Sequence, residues 1–132
     1  MQVKADKCTV DTTMLNADDT SQTIALFEIL PGDYIVSVLG RVKTAVAGVT
    51  LPEVRVGFDA GGGTVIKKQP VNKAGDLLSG GTASDRSFCQ KIAGGGGSGS
   101  ARTLYAYFTS TATNFSSLTA GEIEFVCVRA TA

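Results

Sequence analysis

Apolar and polar residues alternate along most of this chain with the two-residue period of a β-strand. Glycine, proline and aspartate, which favour turns, separate the alternating segments. No segment has a clear helical period. The pattern therefore predicts an all-β domain, an antiparallel β-sandwich or jelly roll of about eight strands. The predicted strands are 22–30, 34–46, 54–58, 64–69, 83–92, 104–108 and 122–129.

The alternation also predicts which side chains share a face. In the first of these strands, Ile24 and Leu26 lie on one face, and Phe27 and Ile29 on the other. The last strand has one apolar face and one mixed face, formed by Ile123, Phe125 and Cys127 against Glu122, Glu124, Val126 and Val128. We expect its apolar face to pack in the core.

Residues 1–21 are polar and weakly patterned, and we interpret them as an extended N-terminal arm with a short strand near residues 8–12. Arms of this kind either cross to a neighbouring subunit or fray. Residues 22–132 then form a single β-sandwich domain. The Gly/Ser run at 94–100 has the composition of a linker, but the 32 residues after it are too few for a second core. We interpret that run as a loop.

The charge balance limits the classes of partner. Twelve basic residues match twelve acidic ones, which argues against binding nucleic acid or an anionic membrane through bulk charge. Only 18% of the residues are charged, which favours a surface partly covered by another protein. No apolar run is long enough for a membrane span, and the first residues do not resemble a secretory signal. We therefore expect synthesis in a cytoplasm.

The residue types leave little room for catalysis. The chain has no histidine, which removes the commonest general base and the commonest metal ligand. Cys8, Cys89 and Cys127 are far apart, and we expect free thiols, with Cys127 as core filler. We predict no catalytic residue, no cofactor and no metal site, and hence no enzyme.

Three weaker signals point to other chemistry. The sequence at 59–64 resembles the phosphate loop of the actin and heat-shock ATPases, but that fold needs several hundred residues, and a hairpin turn explains the glycines equally well. The carboxylate pairs Asp18–Asp19 and Glu122–Glu124 could serve a glycosidase, but we interpret them as a turn and a solvated strand edge. Loop oxygens of Asp59, Asp18 and Asp19 could also hold Ca²⁺.

Five side chains are candidate partner contacts. Tyr34, Tyr105 and Tyr107 have flat amphipathic rings that suit either a sugar face or a subunit contact. Lys67 and Lys68 lie near a strand end, where they could meet a phosphate or an acidic patch of a partner.

The order of the segments adds a resemblance. An apolar strand runs through Pro31-Gly32 into a long valine-rich strand, and a Val-x-Val-Gly-x-Asp strand follows at 54–59. A Leu-Tyr-Ala-Tyr-Phe strand comes at 104–108 and a Gly-Glu-Ile-Glu-Phe strand at 121–125. Over about 24–128 this pattern resembles small virion proteins of tailed bacteriophages. The resemblance implies an oligomeric jelly-roll or sandwich module on the capsid or tail, and it carries no site residues.

We therefore expect a capsid decoration (cement) protein that binds the outer shell and stabilises it. Its partners would be the major capsid protein and its own copies, as a homodimer or homotrimer, with no nucleic acid and no membrane. It would be made in the host cytoplasm and end on the capsid surface of the virion. The alternative is a tail or fibre module that recognises a host-surface glycan.

Overall fold

The predicted all-β sandwich is confirmed in a computed structural model that describes residues 2–58, 65–77, 90–91 and 101–131. Its strands are β1 Gln2–Asp11, β2 Ser21–Ile29, β3 Tyr34–Ala47, β4 Glu53–Gly57, β5 Ile66–Pro70, β6 Gly75–Asp76, β7 Gln90–Lys91, β8 Arg102–Thr109 and β9 Ala120–Thr131.

The strands form two antiparallel sheets. The first has the order β1-β9-β3-β6, with β7 also paired to β3, and the second has the order β2-β8-β4-β5. Neighbours in a sheet are mostly distant in sequence, so the chain crosses repeatedly between the sheets. The strand predicted at 83–92 lies outside the described residues except for β7, and so do the glycine-rich segments at 59–64 and 94–100.

One apolar core fills the space between the sheets. Phe125 comes from the first sheet and Phe108 from the second, and both are almost fully buried. Phe115, in a 3₁₀ turn before β9, meets the Phe108 ring edge-on at 6.3 Å between centroids. Such edge-to-face contacts suit the charge distribution of aromatic rings. The core therefore includes the connection before the last strand.

The N-terminal segment differs from the predicted arm. Residues 2–11 form β1, which pairs with β9 over ten consecutive residues and makes one edge of the first sheet. Val10 is 1% exposed and Cys8 packs against the core, so the strand contributes inward side chains to the same domain. The sequence did not show this because the first four residues of β1 are exposed and only Val10 is fully buried.

Bulges change the predicted faces of β2 and β3. The register of β2 shifts between Ala25 and Phe27, so Ile24 and Phe27 both face the core and Leu26 occupies the bulge. A similar shift in β3 follows Ile35. A bulge inserts one residue and reverses the phase of the alternation. The predicted placement of Ile24 and Phe27 on opposite faces was therefore wrong, and Leu26 also packs against the core.

The turn between β2 and β3 carries a buried charge pair. The predicted Pro-Gly-Asp turn is present, with Gly32 at a φ of +89° and the Asp33 N–H donating to the Leu30 carbonyl at 3.1 Å. Asp33 is 5% exposed, and its Oδ2 lies 3.6 Å from Arg129 Nη1. Arg129 also donates to Asp6 Oδ2 at 2.7 Å and to the Glu28 carbonyl at 2.6 Å. The Arg129 guanidinium therefore links β9 to the edge strand β1 of its own sheet and to the edge strand β2 of the second sheet.

The connection after β3 requires glycine. Gly48 has a φ of +96°, and a Cβ added there would lie 2.5 Å from the Ser117 carbonyl oxygen and 2.7 Å from the Thr119 nitrogen. Only glycine combines a positive φ with such a close backbone approach. The turn thereby locks the end of β3 against the start of β9.

Candidate binding faces

The outer face of the first sheet follows from the alternation of β9. Ile123, Phe125 and Cys127 are buried, as predicted. The intervening residues therefore point away from the core, and they are half-buried: Glu122, Glu124, Val126 and Val128. β9 lies between β1 and β3, so the Glu122–Glu124 pair is on the outer face of a central strand. The prediction of a strand edge was wrong for this pair.

Strand register brings further apolar side chains beside the two valines. Val126 lies opposite Lys7 of β1 and Leu39 of β3, and Val128 lies opposite Ala5. Beyond them, Ala130 lies between Val3 and Tyr34. Val3 is 67% exposed, Leu39 55% and Tyr34 41%. We call this surface the apolar patch, formed by Val3, Ala5, Tyr34, Leu39, Val126 and Val128.

Charged side chains border the apolar patch on one side. Lys7 Nζ lies 3.0 Å from Glu124 Oε2, and Lys43 Nζ lies 3.7 Å from the same oxygen and 3.9 Å from Glu122 Oε2. The hydrogen bond from Lys7 lowers the pKa of Glu124 below its usual value. The patch therefore has a border of paired charges next to its apolar surface.

A different surface covers the outer face of the second sheet. Tyr105 and Tyr107 point outward from β8, with ring centroids 6.0 Å apart. Tyr107 is 7% exposed, and the guanidinium of Arg55 lies over its ring, 5.4 Å from the centroid. Tyr105 lies opposite Ala25 on one side and Gly57 on the other. The two residues directly opposite Tyr105 are therefore of the two smallest types, alanine and glycine.

The two lysines lie at the far edge of this second sheet. Lys67 is half-buried in β5, and Lys68 is exposed, with its Nζ 3.6 Å from Glu53 Oε1. An exposed pair at that distance contributes little to stability.

The structure divides the five predicted contacts between opposite sides of the sandwich. Tyr34 belongs to the apolar patch, whereas Tyr105, Tyr107, Lys67 and Lys68 belong to the second sheet. Sequence reasoning missed Leu39 and Arg55. Strict alternation places Leu39 on the same face as Ile35, which is buried, and only the bulge between Ile35 and Ser37 turns Leu39 outward.

The thiols and the remaining carboxylate pair have structural surroundings. Cys127 is fully buried, as predicted, and desolvation raises its pKa to about 11. Burial also raises the pKa of Cys8. Asp18 Oδ1 accepts hydrogen bonds from Asn114 Nδ2 at 3.0 Å and Ser116 Oγ at 3.2 Å. Asp18 thus ties the predicted turn to the 3₁₀ turn before β9.

The comparisons with known proteins add no identification, because no family model, curated protein or solved structure matches the chain. Within the described ranges, no helix has the length and apolar character needed to cross a bilayer. The same part of the chain contains no group of three or more acidic or cysteine side chains placed to hold a metal ion.

Proposed function

We propose that this protein is a structural component of a bacteriophage virion, a capsid decoration (cement) protein that docks on the outer shell through the apolar patch. The observation that carries the proposal is the patch itself, in which large apolar side chains of three strands lie side by side with more than half of Val3 and Leu39 exposed. Contiguous exposed apolar surfaces of this kind mark protein interaction sites.

The chemistry of the face suits a broad protein surface. Removing apolar area from water stabilises a complex by about 25 cal/mol per Å². The ion pairs of Lys7 and Lys43 with Glu124 lie beside the apolar residues, where charges select the orientation of a partner. The pattern resemblance to phage virion proteins over about 24–128 makes the major capsid protein the partner that we propose, with the chain made in the host cytoplasm and ending on the capsid surface.

The edge of β1 supports self-association as a homodimer. β1 pairs with β9 without a bulge or a proline, whereas the edge strand β2 is bulged and the edge strand β5 ends at Pro70. Long regular edges pair readily with other strands. Antiparallel pairing of two copies centred on Ala5 places Lys4 of each copy opposite Asp6 of the other, and it joins the two apolar patches into one surface.

Shell binding tests the docking proposal. Purified protein is mixed with shells assembled from the major capsid protein encoded in the same genome, and bound copies are counted after sedimentation. Leu39→Asp should weaken binding more than about tenfold, because it loses an apolar contact and buries a carboxylate. Leu51→Asp is the matched control, since Leu51 is 63% exposed but lies in a loop outside the patch. Equal binding of the two variants would contradict the proposal.

Light scattering after size exclusion tests the dimer separately. The wild type should run as a dimer, and Lys4→Glu should dissociate it by placing like charges opposite each other twice. Lys68→Glu, on the second sheet, should leave it intact. A stable dimer should have a dissociation constant well below about 100 µM. If the wild type is monomeric at that concentration, the dimer proposal is contradicted, and shell docking is still tested separately.

A further inference from the structure

The outer face of the second sheet contains a hollow of about 310 Å³. Its lining residues are Ser21, Gln22, Thr23, Arg55, Tyr107, Phe108 and Thr109. Thr23 and Arg55 lie opposite Tyr107 from the two neighbouring strands, so strand register fixes the centre of the hollow. Four of the lining residues carry a hydroxyl group and one carries a guanidinium.

Within the described residues, no carboxylate neutralises the charge of Arg55. Its Nε is buried without a hydrogen-bond partner, and none of the carboxylates in the described residues forms an ion pair with it. By contrast, Lys68 on the neighbouring strand is paired with Glu53. The Tyr107 ring holds the guanidinium by a cation–π contact and so limits its freedom to turn into solvent. The half-buried Arg55 side chain is therefore a cation that packs on an aromatic ring and has no carboxylate partner in the described residues.

A second aromatic side chain lies on the same face, beside Tyr107. Tyr105 is half-buried, and the residues directly opposite it across the strands are Ala25 and Gly57, which carry little or no side chain. Its centroid is 6.0 Å from that of Tyr107. A flat apolar ring beside a cation and several hydroxyls matches a sugar ring that carries a carboxylate.

We propose that this hollow binds an acidic saccharide, a uronic-acid or sialic-acid type sugar. The carboxylate pairs with Arg55, the apolar face of the ring packs on Tyr105, and the sugar hydroxyls exchange hydrogen bonds with Ser21, Thr23 and Thr109. An acidic peptide would use Arg55 but neither the ring nor the hydroxyls, so the lining favours a sugar.

The site lies on the sheet opposite the apolar patch. A copy docked through the first sheet would present the second sheet to the medium, so shell attachment and glycan recognition are compatible in one chain. The proposal does not depend on the shell, because the hollow is complete within one copy.

Calorimetric and saturation-transfer NMR titrations test the site with matched probes. The first pair of probes is trigalacturonate, which carries carboxylates, and galactotriose, which does not. The second pair is 3′-sialyllactose, which carries an acidic sugar, and lactose, which lacks it. A tri-glutamate peptide supplies carboxylates without a sugar ring. The acidic sugars should bind at least about tenfold more tightly than their neutral counterparts, as expected for a charge-assisted hydrogen bond.

Variants then assign the binding to the hollow. Arg55→Gln should weaken acidic-sugar binding about tenfold or more and leave any neutral-sugar binding unchanged. Tyr105→Ser should weaken both classes by about three- to tenfold. Tyr34→Ser, a tyrosine on the opposite sheet, is the control and should change neither, and thermal melts confirm that each variant is folded.

Four results would overturn the proposal. One is binding of none of the probes, the second is equal binding of acidic and neutral sugars, and the third is tighter binding of the peptide than of the acidic sugars. Acidic-sugar binding that survives Arg55→Gln would place the ligand elsewhere and overturn it as well.

Discussion

Burial distinguishes two ion pairs of the same length in this fold. Arg129 Nη1 and Asp33 Oδ2 are 3.6 Å apart with side chains 16% and 7% exposed, whereas Lys68 Nζ and Glu53 Oε1 are 3.6 Å apart with side chains 50% and 37% exposed. At this distance neither pair is hydrogen-bonded, and Asp33 Oδ2 is buried without any hydrogen-bond partner in the described residues. Removing the cation should therefore matter only for the buried pair.

The expected magnitude follows from that difference. Arg129→Met leaves the Asp33 carboxylate buried and uncompensated, which costs about 3–5 kcal/mol of unfolding free energy. Asp33→Asn removes the charge but keeps the shape, and Arg129 retains its hydrogen bond to Asp6, so we expect about 1–2 kcal/mol. Lys68→Met should stay within about 0.5 kcal/mol of wild type. The whole free energy of unfolding of a domain of this size is only about 5–15 kcal/mol.

Urea unfolding followed by circular dichroism measures these values, with the double variant completing the cycle. If the pair is coupled, Arg129→Met with Asp33→Asn should be less destabilised than the sum of the single changes by about 1–3 kcal/mol. Additivity within about 0.5 kcal/mol, or an Arg129→Met variant as stable as Lys68→Met, would refute the reasoning.

Three further predictions concern the backbone, acid stability and a thiol. Gly48→Ala should destabilise the domain by far more than Gly32→Ala in thermal unfolding, because Gly32 has a similar φ but open space around it and should cost only about 1–2 kcal/mol. The lowered pKa of Glu124 stabilises the fold above the ordinary value of 4.5, and this contribution is lost as the pH falls through the folded-state value. Glu124→Gln should therefore reduce the difference in urea midpoint between about pH 6 and about pH 3. The Cys127 thiol, with a pKa of about 11, should resist iodoacetamide in the native protein and react once urea is added, as peptide mass spectrometry would show.

The fold class could be predicted because most strands bury one face only. In such a strand, inward and outward residues alternate along the sequence. In β9 the predicted inward residues, Ile123, Phe125 and Cys127, are buried as expected. The bulges of β2 and β3 could not be predicted, since an inserted residue is selected by packing across the sheet and leaves no local signal.

The place of β1 was also beyond sequence reasoning. Only Val10 of this strand is fully buried, and its partner β9 begins more than a hundred residues later. An edge strand with so few inward apolar residues resembles a polar arm. The pairing is fixed by the sheet as a whole, not by the segment itself.

For the same reason, the sequence predicted some residues of the candidate faces but not how the faces are assembled. The tyrosines could be named one by one, but the apolar patch is assembled from β1, β3 and β9, and the hollow from β2, β4 and β8. Val3 and Leu39 become neighbours of the outward valines of β9 only through register. Arg55 becomes a candidate only when the structure shows that its Nε has no hydrogen-bond partner in the described residues.

Photo-crosslinking on assembled particles tests most directly whether the first sheet is the docking face. Benzoylphenylalanine replaces Leu39 in one variant and Tyr105 in another, both are bound to shells and irradiated, and crosslinked peptides are identified by mass spectrometry. We predict crosslinks to the major capsid protein from position 39 and none from position 105. Crosslinks from position 105 alone, or from neither position on particles that carry the protein, would contradict the account.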